Sequence, residues 1–203
     1  MLKKMMKRIQ YGDPVILVSG LPRSGTSMTM KMLDAVGLGM VVDGVREADE
    51  DNPKGYFEDE RVKDLHKTED KSWVKAARGK AIKVISYLLK DLPDENYYKV
   101  IFMRRNLKEV LASQKKMLDR RGETSETSDE RMIEIYEDHL WKVNYMFKHK
   151  PNFETLEIEY TAVINDPRAQ AMRISDFLGL DLDVDKMVAA VDPKLYRNRA
   201  GQL

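Results

Sequence analysis

The chain has 203 residues, of which 42% are hydrophobic and 34% are charged, which excludes a disordered chain and favours a single folded domain over residues 1–203. The formal net charge is +1, so a nucleic-acid coat protein is not expected, although a small basic pocket for a small anion is compatible with that total. The sequence contains no cysteine, which excludes disulfides, thiolate zinc sites and a cysteine nucleophile.

Targeting signals are not evident in the sequence. The apolar runs are far shorter than a membrane span, and the basic N-terminus lacks the apolar stretch of a signal peptide. We therefore expect a cytoplasmic protein with no nucleic-acid partner, whose first residues form a frayed terminus.

Strand and helix patterns alternate along the chain. Short apolar runs predict buried strands, and apolar residues spaced three or four apart predict helices. The predicted strands are residues 14–20, 81–86, 99–104 and 155–160, and the predicted helices are residues 28–36, 106–121, 132–147 and 166–178. This alternation indicates an α/β fold in which helices flank a mostly parallel central sheet. Ligands of such folds bind at the carboxyl ends of the strands.

The first predicted strand leads into the stretch VSGLPRSGTS, residues 18–27, which has the outline of a phosphate-binding loop. Gly20 and Gly25 bracket four residues, and a helix is expected to begin near Gly25. Backbone N–H groups of such a loop and the partial positive charge of the helix N-terminus stabilise an anion. Ser24, Thr26 and Ser27 can add hydroxyl hydrogen bonds, so the loop predicts a site for phosphate or sulfate.

The lysine that an ATP-binding loop carries after its second glycine is absent. Thr26 occupies that position, and Arg23 lies within the loop instead. The loop can still bind an anion, but it is less suited to metal-bridged triphosphate chemistry. The alternative interpretation is a glycine-rich turn that binds no ligand.

The segment PRSGTS resembles the 5′-phosphosulfate loop of the sulfotransferase family, whose donor is 3′-phosphoadenosine 5′-phosphosulfate (PAPS). The arginine form of the loop is similar to that of the bacterial enzymes and of the Golgi tyrosylprotein branch. The resemblance implies a three-layer P-loop fold and a donor site formed by Arg23, Ser24, Gly25, Thr26 and Ser27. It also implies sulfuryl transfer without a metal ion.

A second anion site is predicted at the end of the third strand, in the stretch KVIFMRRNLKEVLASQ. Asn106 and Glu109 form the pattern of a capping box, and Ser113 lies about two helical turns after the cap on the same face. Arg105 and Ser113 can therefore converge on a phosphate. The family pattern has an arginine and a serine at this spacing that hold the donor's 3′-phosphate, with Leu107 here in place of its proline.

Arg104 is the rival arginine for this second site, but its spacing to Ser113 is one residue too long for the family pattern. A surface arginine and a small helix serine with no ligand are the alternative interpretation of the pair. Beside the glycine-rich loop, the pair favours a donor with separate 5′ and 3′ anionic groups.

The stretch EYTAVINDPRAQAMRISDFLGL matches a third family pattern. Tyr160 takes the place of a strand-ending tyrosine that lies near the adenine in relatives, although it could equally be a core residue. Asp166 and Pro167 predict the cap and the first residue of a helix. Arg197 and Arg199 either close the 3′-phosphate site, as a late arginine-glycine loop does in relatives, or belong to a flexible tail.

Catalytic roles are also implied by the resemblance. Arg23 and Lys83 are the predicted cations at the reacting group, because relatives place a lysine near the second strand close to the bridging oxygen. An edge-strand charge is the alternative interpretation of Lys83. Ile85 replaces the histidine base of the cytosolic branch, so a carboxylate is the expected general base, and Glu58 is the first choice.

Other carboxylates compete with Glu58 for the role of base. Asp43 and Glu47 are its rivals, and Glu58 or Asp59 could simply supply a favourable charge at a helix N-terminus. His66, on the following helix, is expected to be partly exposed.

Three classes of function fit these motifs. The first is a PAPS-dependent sulfotransferase that acts on a hydroxyl or amine acceptor. The second is a P-loop kinase or NTPase that uses ATP–Mg²⁺, and the third is a relative that binds the nucleotide without turnover. Residues 43–59 and 122–130 are expected to shape the acceptor pocket.

Overall fold

The computed structural model describes residues 2–45, 57–123 and 127–196. Its sheet has four strands: β1 (Val15–Gly20), β2 (Ala81–Lys83), β3 (Tyr98–Arg104) and β4 (Phe153–Glu159). The strands pair in the order β2-β1-β3-β4, and every pairing is parallel. This confirms the predicted α/β class with a parallel central sheet.

Helices connect the strands and cover the sheet. The described helices are α1 (Leu2–Tyr11), α2 (Thr26–Asp34), α3 (Glu60–Lys63), α4 (Leu107–Arg121), α5 (Asp129–His149), α6 (Tyr160–Asn165), α7 (Pro167–Leu178) and α8 (Val184–Ala190). Three 3₁₀ turns cover Ser72–Ala77, Ser86–Asp91 and Pro193–Leu195. None of the helices in this part of the chain is both long enough and apolar enough to cross a bilayer.

Two apolar cores lie on opposite faces of the sheet. Val15 and Leu17 of β1 belong to the core that includes residues of α4 and α5, whereas Ile16 and Val18 belong to the core that includes residues of α2, α7 and α8. Successive side chains of a strand point to opposite faces. A strand covered on both faces must therefore be apolar throughout, which explains the unbroken apolar run of β1.

The carboxyl ends of the four parallel strands lie together at one end of the sheet. Val18 of β1 is paired with Lys83 of β2, and Gly20 of β1 is paired with Met103 of β3. Arg104, the last residue of β3, is paired with Glu159, the last residue of β4. The loops that carry the predicted motifs therefore begin side by side.

Some predicted element boundaries are wrong. The second strand ends at Lys83 rather than at residue 86. It is the last strand in the sheet order and pairs with β1 over three residues, and its other side has a single bridge, between Ala81 and Met40. Tyr160 begins α6 and does not end β4.

The N-terminus also differs from the prediction. Residues expected to fray form α1, and Lys7 Nζ donates a 3.1 Å hydrogen bond to the carbonyl oxygen of Phe153. This bond joins the helix to the start of β4, a long-range contact that the local sequence pattern does not indicate.

Helix caps follow the sequence with one exception. Asn106 accepts a hydrogen bond from the N–H of Lys108 at 3.0 Å, and Asp166 accepts one from the N–H of Ala169 at 3.0 Å. The predicted capping box is incomplete, however, because the side chain of Glu109 is turned toward Arg105. An ionic partner in the tertiary structure has replaced the local backbone bond.

Candidate anion-binding and catalytic site

The glycine-rich loop joins β1 to α2 in the way that the sequence predicts. Gly25 is the N-cap residue of α2 and provides no side-chain cap. The first N–H groups of a helix have no intrahelical acceptor, and Gly25, Thr26 and Ser27 line a cavity. Arg23 has a φ of 68°, a left-handed conformation that is uncommon for a residue with a side chain. The loop therefore places helix N-terminal N–H groups at the cavity, an arrangement that favours a negatively charged group.

Both glycines of the loop are required by close contacts. A Cβ atom on Gly20 would lie 2.5 Å from Ser24 Oγ and 2.6 Å from the carbonyl oxygen of Met103. A Cβ atom on Gly25 would lie 2.5 Å from Cδ2 of Tyr160. The loop thus lies directly against β3 and against the start of α6, and a side chain at either glycine would displace it.

Ser24 is the predicted loop residue that does not line the cavity. Its side chain is buried, and Ser24 Oγ has no hydrogen-bond partner among the described residues. The N–H of Ser24 donates a 3.2 Å bond to the carbonyl oxygen of Leu21, which closes a tight turn inside the loop. Ser24 therefore contributes to the loop conformation in this structure.

The two predicted anion sites are in direct contact. Arg23 Nε donates a 3.0 Å hydrogen bond to Ser113 Oγ, across 90 residues of sequence. Arg105 Nη1 donates a 3.0 Å bond to the backbone carbonyl oxygen of Arg23. All three side chains line the same cavity, so the loop motif and the β3–α4 motif form one site.

Arg105 lies in a cage of one acid and two aromatic rings. Its Nε is 3.0 Å from Oε2 of Glu109, and both side chains of this ion pair are buried. The guanidinium carbon lies 4.5 Å from the ring centre of Tyr160 and 5.6 Å from that of Tyr196. The Tyr196 hydroxyl donates a 2.7 Å bond to Oε1 of Glu109. These contacts fix the guanidinium before any anion binds.

The phenol group of Tyr160 has a shifted pKa. Burial raises the pKa of Tyr160, and the nearby Arg105 guanidinium partly opposes this shift. Tyr160 is therefore a neutral phenol near neutral pH, with its ring against the guanidinium.

Lys83 and Glu58 form an ion pair in the same cavity. Lys83 Nζ is 2.9 Å from Glu58 Oε1, and the two side chains are 6% and 20% exposed. This burial argues against an edge-strand charge whose purpose is solubility, because such a charge would lie in water. The structure thus joins two residues that lie 25 positions apart in the sequence.

The rival carboxylates have other contacts. Asp59 caps α3 and binds the guanidinium of Arg61 through both oxygens, at 2.9 Å and 2.7 Å. Asp43 is exposed, and hydrogen bonds from the N–H groups of Val45 and Glu60 lower the pKa of its carboxyl group. Asp43 is not among the described residues that line the cavity, whereas Glu58 is. Among the described rivals, the geometry therefore favours Glu58.

Several predicted residues lie elsewhere. Glu47 and the C-terminal pair of Arg197 and Arg199 lie outside the described residues. His66 is exposed, but the prediction that it lies on a helix is wrong, because α3 ends at Lys63 and His66 lies in the turn that follows. Neither His66 nor Arg104 is among the described residues that line the cavity.

The cavity has a volume of about 570 Å³. The predicted residues that line it are Arg23, Gly25, Thr26, Ser27, Glu58, Lys83, Arg105, Ser113 and Tyr160. Of the described residues that line it, eight are Lys or Arg and three are Asp or Glu. A chain with a net charge of only +1 therefore concentrates positive charge in one cavity, which favours an anionic ligand.

Two contributors were missed by the sequence interpretation. The capping-box pattern predicts a backbone partner for Glu109, whereas its partner in the structure is Arg105, four residues earlier and just before the helix cap. No local signal links Tyr196 to Glu109, from which it lies 87 residues away.

Comparison with known proteins decides the family. Residues 13–196 match the sequence profile of the family described as "Sulfotransferase domain". The chain belongs to the sulfotransferase domain family. This match confirms the resemblance carried by the loop and the β3–α4 motif, and it confirms a sulfotransferase as the class of enzyme.

Solved sulfotransferase structures share the fold. The sulfotransferase domain from the curacin biosynthetic pathway is 12% identical, with a TM-score of 0.55 over 89% of this chain and 78% of that one. Mouse sulfotransferase SULT7A1, complexed with PAP, is 18% identical, with a TM-score of 0.55 over 91% and 63%. The sulfotransferase domain of the Synechococcus PCC 7002 olefin synthase is 16% identical, with a TM-score of 0.51 over 93% and 88%. The search of curated proteins found no significant match for this sulfotransferase.

Proposed function

We propose that this sulfotransferase moves a sulfuryl group from PAPS to a hydroxyl or amine acceptor in the cavity described above. The observation that carries the proposal is the direct contact between the two anion sites, through Arg23 Nε and Ser113 Oγ at 3.0 Å. A nucleotide with anionic groups at both its 5′ and 3′ positions can occupy both sites at once. The mouse relative, whose structure is described as complexed with PAP, supports the same donor.

The donor's 5′-phosphosulfate is assigned to the loop and its 3′-phosphate to the β3–α4 motif. Backbone N–H groups at the start of α2, with Thr26 and Ser27, would bind the 5′ end. Arg105 and Ser113 would bind the 3′-phosphate, with the guanidinium held by its cage. Tyr160 remains assigned to the adenine side, which its place on the cavity wall permits.

The chemistry is assigned to Arg23, Lys83 and Glu58. The carboxylate of Glu58 would accept the proton of the acceptor O–H as the acceptor oxygen forms its bond to sulfur. The bond between sulfur and the bridging oxygen breaks, and the 5′-phosphate leaves with that electron pair. Lys83 and Arg23 would stabilise the charge that develops on the leaving phosphate and on the equatorial oxygens.

Some assignments rest on the sequence alone. We propose a single domain over residues 1–203, a cytoplasmic location, the bacterial type of the PRSGTS loop and catalysis without a metal. The last of these is tested by treatment with a chelator, which should leave the rate of sulfuryl transfer unchanged.

Calorimetric titration tests the donor class. The purified protein is titrated with 3′-phosphoadenosine 5′-phosphate (PAP), ADP and ATP–Mg²⁺, and PAP should bind most tightly. Arg105→Ala should weaken PAP binding by roughly 100-fold, because a charged hydrogen bond contributes about 1.5–3 kcal/mol. Arg104→Ala is the matched control, since this neighbour is not among the described lining residues, and it should retain the affinity for PAP.

Two results would overturn the donor assignment. A preference for ATP–Mg²⁺ that Arg105→Ala does not alter would make the protein kinase-like. Loss of PAP binding in Arg104→Ala, with Arg105→Ala unaffected, would show that the rival arginine binds the 3′-phosphate.

A further inference from the structure

The cavity carries more positive charge than the proposed donor contacts use. Arg23, Lys83 and Arg105 are assigned to the anionic groups of the donor. The additional cationic residues that line the cavity are Lys31, Lys63, Lys116, Arg120 and Arg121.

Three of these additional cations lie on the second half of α4. Arg120 follows Ser113 by seven residues, which is about 10 Å along a helix axis. Lys116, Arg120 and Arg121 have exposed side chains, so they face the open part of the cavity rather than its buried floor. We name these three residues the α4 cationic wall, and it lies beyond the proposed 3′-phosphate site.

The acidic residues of the cavity have partners of their own. Glu58 pairs with Lys83, and Asp59 pairs with Arg61. Asp192 accepts a 3.1 Å hydrogen bond from the N–H of Lys194 on the C-terminal side of the cavity. Among the described residues that line the cavity, Lys and Arg outnumber Asp and Glu by eight to three, so the described lining that includes the α4 cationic wall is positively charged on balance.

An apolar patch lies in the same cavity as the proposed reacting pair. Val62 follows Glu58 by four residues, while Ile85 and Leu88 follow Lys83 along the chain, and all three line the cavity. Met117 lines the same cavity, one helical turn beyond Ser113 on α4, the helix that carries the α4 cationic wall. An acceptor that reaches Glu58 and Lys83 therefore meets apolar surface and cationic side chains.

We infer that the acceptor is a hydroxyl compound with an apolar body and an acidic group. Its apolar body packs against Val62, Ile85, Leu88 and Met117, and its acidic group contacts the α4 cationic wall. The hydroxyl is thereby directed at the pair of Glu58 and Lys83. This inference rests on the proposed function and specifies the substrate class of the same site.

Three phenols of similar shape and different charge test the inference. Protein saturated with PAP is titrated by calorimetry with 3-(4-hydroxyphenyl)propionate, with its neutral amide and with cationic tyramine. The carboxylate should bind roughly tenfold more tightly than the amide, since one charged hydrogen bond accounts for such a factor, and tyramine should bind most weakly. The advantage of the carboxylate should shrink as salt is added.

Two double variants test whether the preference for the carboxylate depends on the α4 cationic wall. Arg120→Gln with Arg121→Gln should abolish the preference for the carboxylate over the amide while the amide affinity and the PAP affinity persist. Lys115→Gln with Arg131→Gln is the matched control, because both side chains are exposed and neither is among the described lining residues. This control should bind the carboxylate as the unaltered protein does.

The inference is overturned if the amide binds as tightly as the carboxylate, or if the PAP-saturated protein binds no carboxylate at millimolar concentration. It is also overturned if the preference for the carboxylate survives in the Arg120→Gln, Arg121→Gln protein. The PAP titration separates this failure from failure of the proposed function. Tight PAP binding without preference for the carboxylate rejects only the acidic acceptor, whereas loss of PAP binding to the unaltered protein rejects the donor site itself.

Discussion

Because Gly25 has no side chain, the glycine-rich loop lies against Tyr160, which comes from a distant part of the chain. The backbone has a φ of 101°, and a Cβ atom there would lie 2.5 Å from the ring of Tyr160. The ring of Tyr160 in turn packs on the guanidinium of Arg105. The loop glycine therefore supports both the loop conformation and the position of the arginine that is assigned to the 3′-phosphate.

The substitution Gly25→Ala should destabilise the protein and weaken PAP binding. Gly37→Ala is the matched control, because Gly37 also has a positive φ, of 74°, but a Cβ atom there would meet no atom within 4 Å. The control should lower the free energy of unfolding by about 1 kcal/mol through backbone strain alone. Gly25→Ala should cost about 1–3 kcal/mol more, because its methyl group overlaps the ring. Urea unfolding measures both, and equal losses would contradict the packing argument.

The ion pair between Lys83 and Glu58 predicts coupled kinetic effects. Glu58→Gln should lower kcat by roughly 10²–10⁴-fold, the usual contribution of a general base. Lys83→Met should also lower kcat. The double variant should be no slower than the slower single variant, because residues that act as a unit are not additive.

Asp43→Asn is the control for this prediction, since Asp43 is exposed and is not among the described lining residues. It should retain turnover, measured as PAP release from PAPS in the presence of acceptor. Loss of turnover in Asp43→Asn with retention in Glu58→Gln would transfer the role of base to Asp43.

At the scale of elements, α5 is joined to the 3₁₀ turn Ser86–Asp91 that follows β2. His139 of α5 stacks on Tyr87 with ring centres 3.8 Å apart, and its Nε2 lies 2.9 Å from Ser86 Oγ. The turn carries Leu88 of the cavity wall and begins three residues after Lys83. The contact therefore supports the segment that positions the proposed catalytic lysine.

Protonation of His139 should weaken this junction. Burial lowers the pKa of His139 below its ordinary value of 6.5, so the unfolded chain takes up this proton at a higher pH than the folded protein does. Stability should then fall as the pH drops through 6.5 toward the lower folded pKa. The free energy of unfolding, followed from about pH 7 to about pH 5, should show a smaller decrease in His139→Gln. His66→Gln, which alters an exposed histidine, should keep the original slope.

Features encoded in a few consecutive residues could be predicted from the sequence, whereas features that depend on tertiary contacts could not. The apolar run of β1 and the Asn106 cap of α4 are encoded within a few residues, and both are confirmed. The early end of β2 depends on its place at the sheet edge beside β1. The position of the Arg105 guanidinium depends on the rings of Tyr160 and Tyr196, which come from distant parts of the chain.

At the scale of the whole molecule, the distribution of charge matters more than its sum. The chain is nearly neutral, yet cations outnumber acids by eight to three among the described residues that line the cavity. Charges of one sign in a partly enclosed site attract a ligand of the opposite sign, and dissolved salt screens that attraction.

PAP affinity should therefore depend strongly on salt. Between about 0.05 M and about 0.5 M sodium chloride, the affinity should fall by roughly an order of magnitude, because the Debye length shortens over this range. Calorimetry in matched buffers measures the change, and thermal unfolding of the free protein over the same range is the control. An affinity that does not change with salt would contradict the role assigned to the cationic cavity.

The class of fold, the glycine-rich loop, the Arg105 and Ser113 motif and the resemblance to the family could be predicted from the sequence, because each is encoded in residues close together in the chain. The contacts between distant residues required the folded structure. It joined Arg23 to Ser113 across 90 residues and Tyr196 to Glu109 across 87. It also paired Lys83 with Glu58. Such contacts depend on strand order and helix packing, which are set by burial of the two cores as a whole and not by any local pattern.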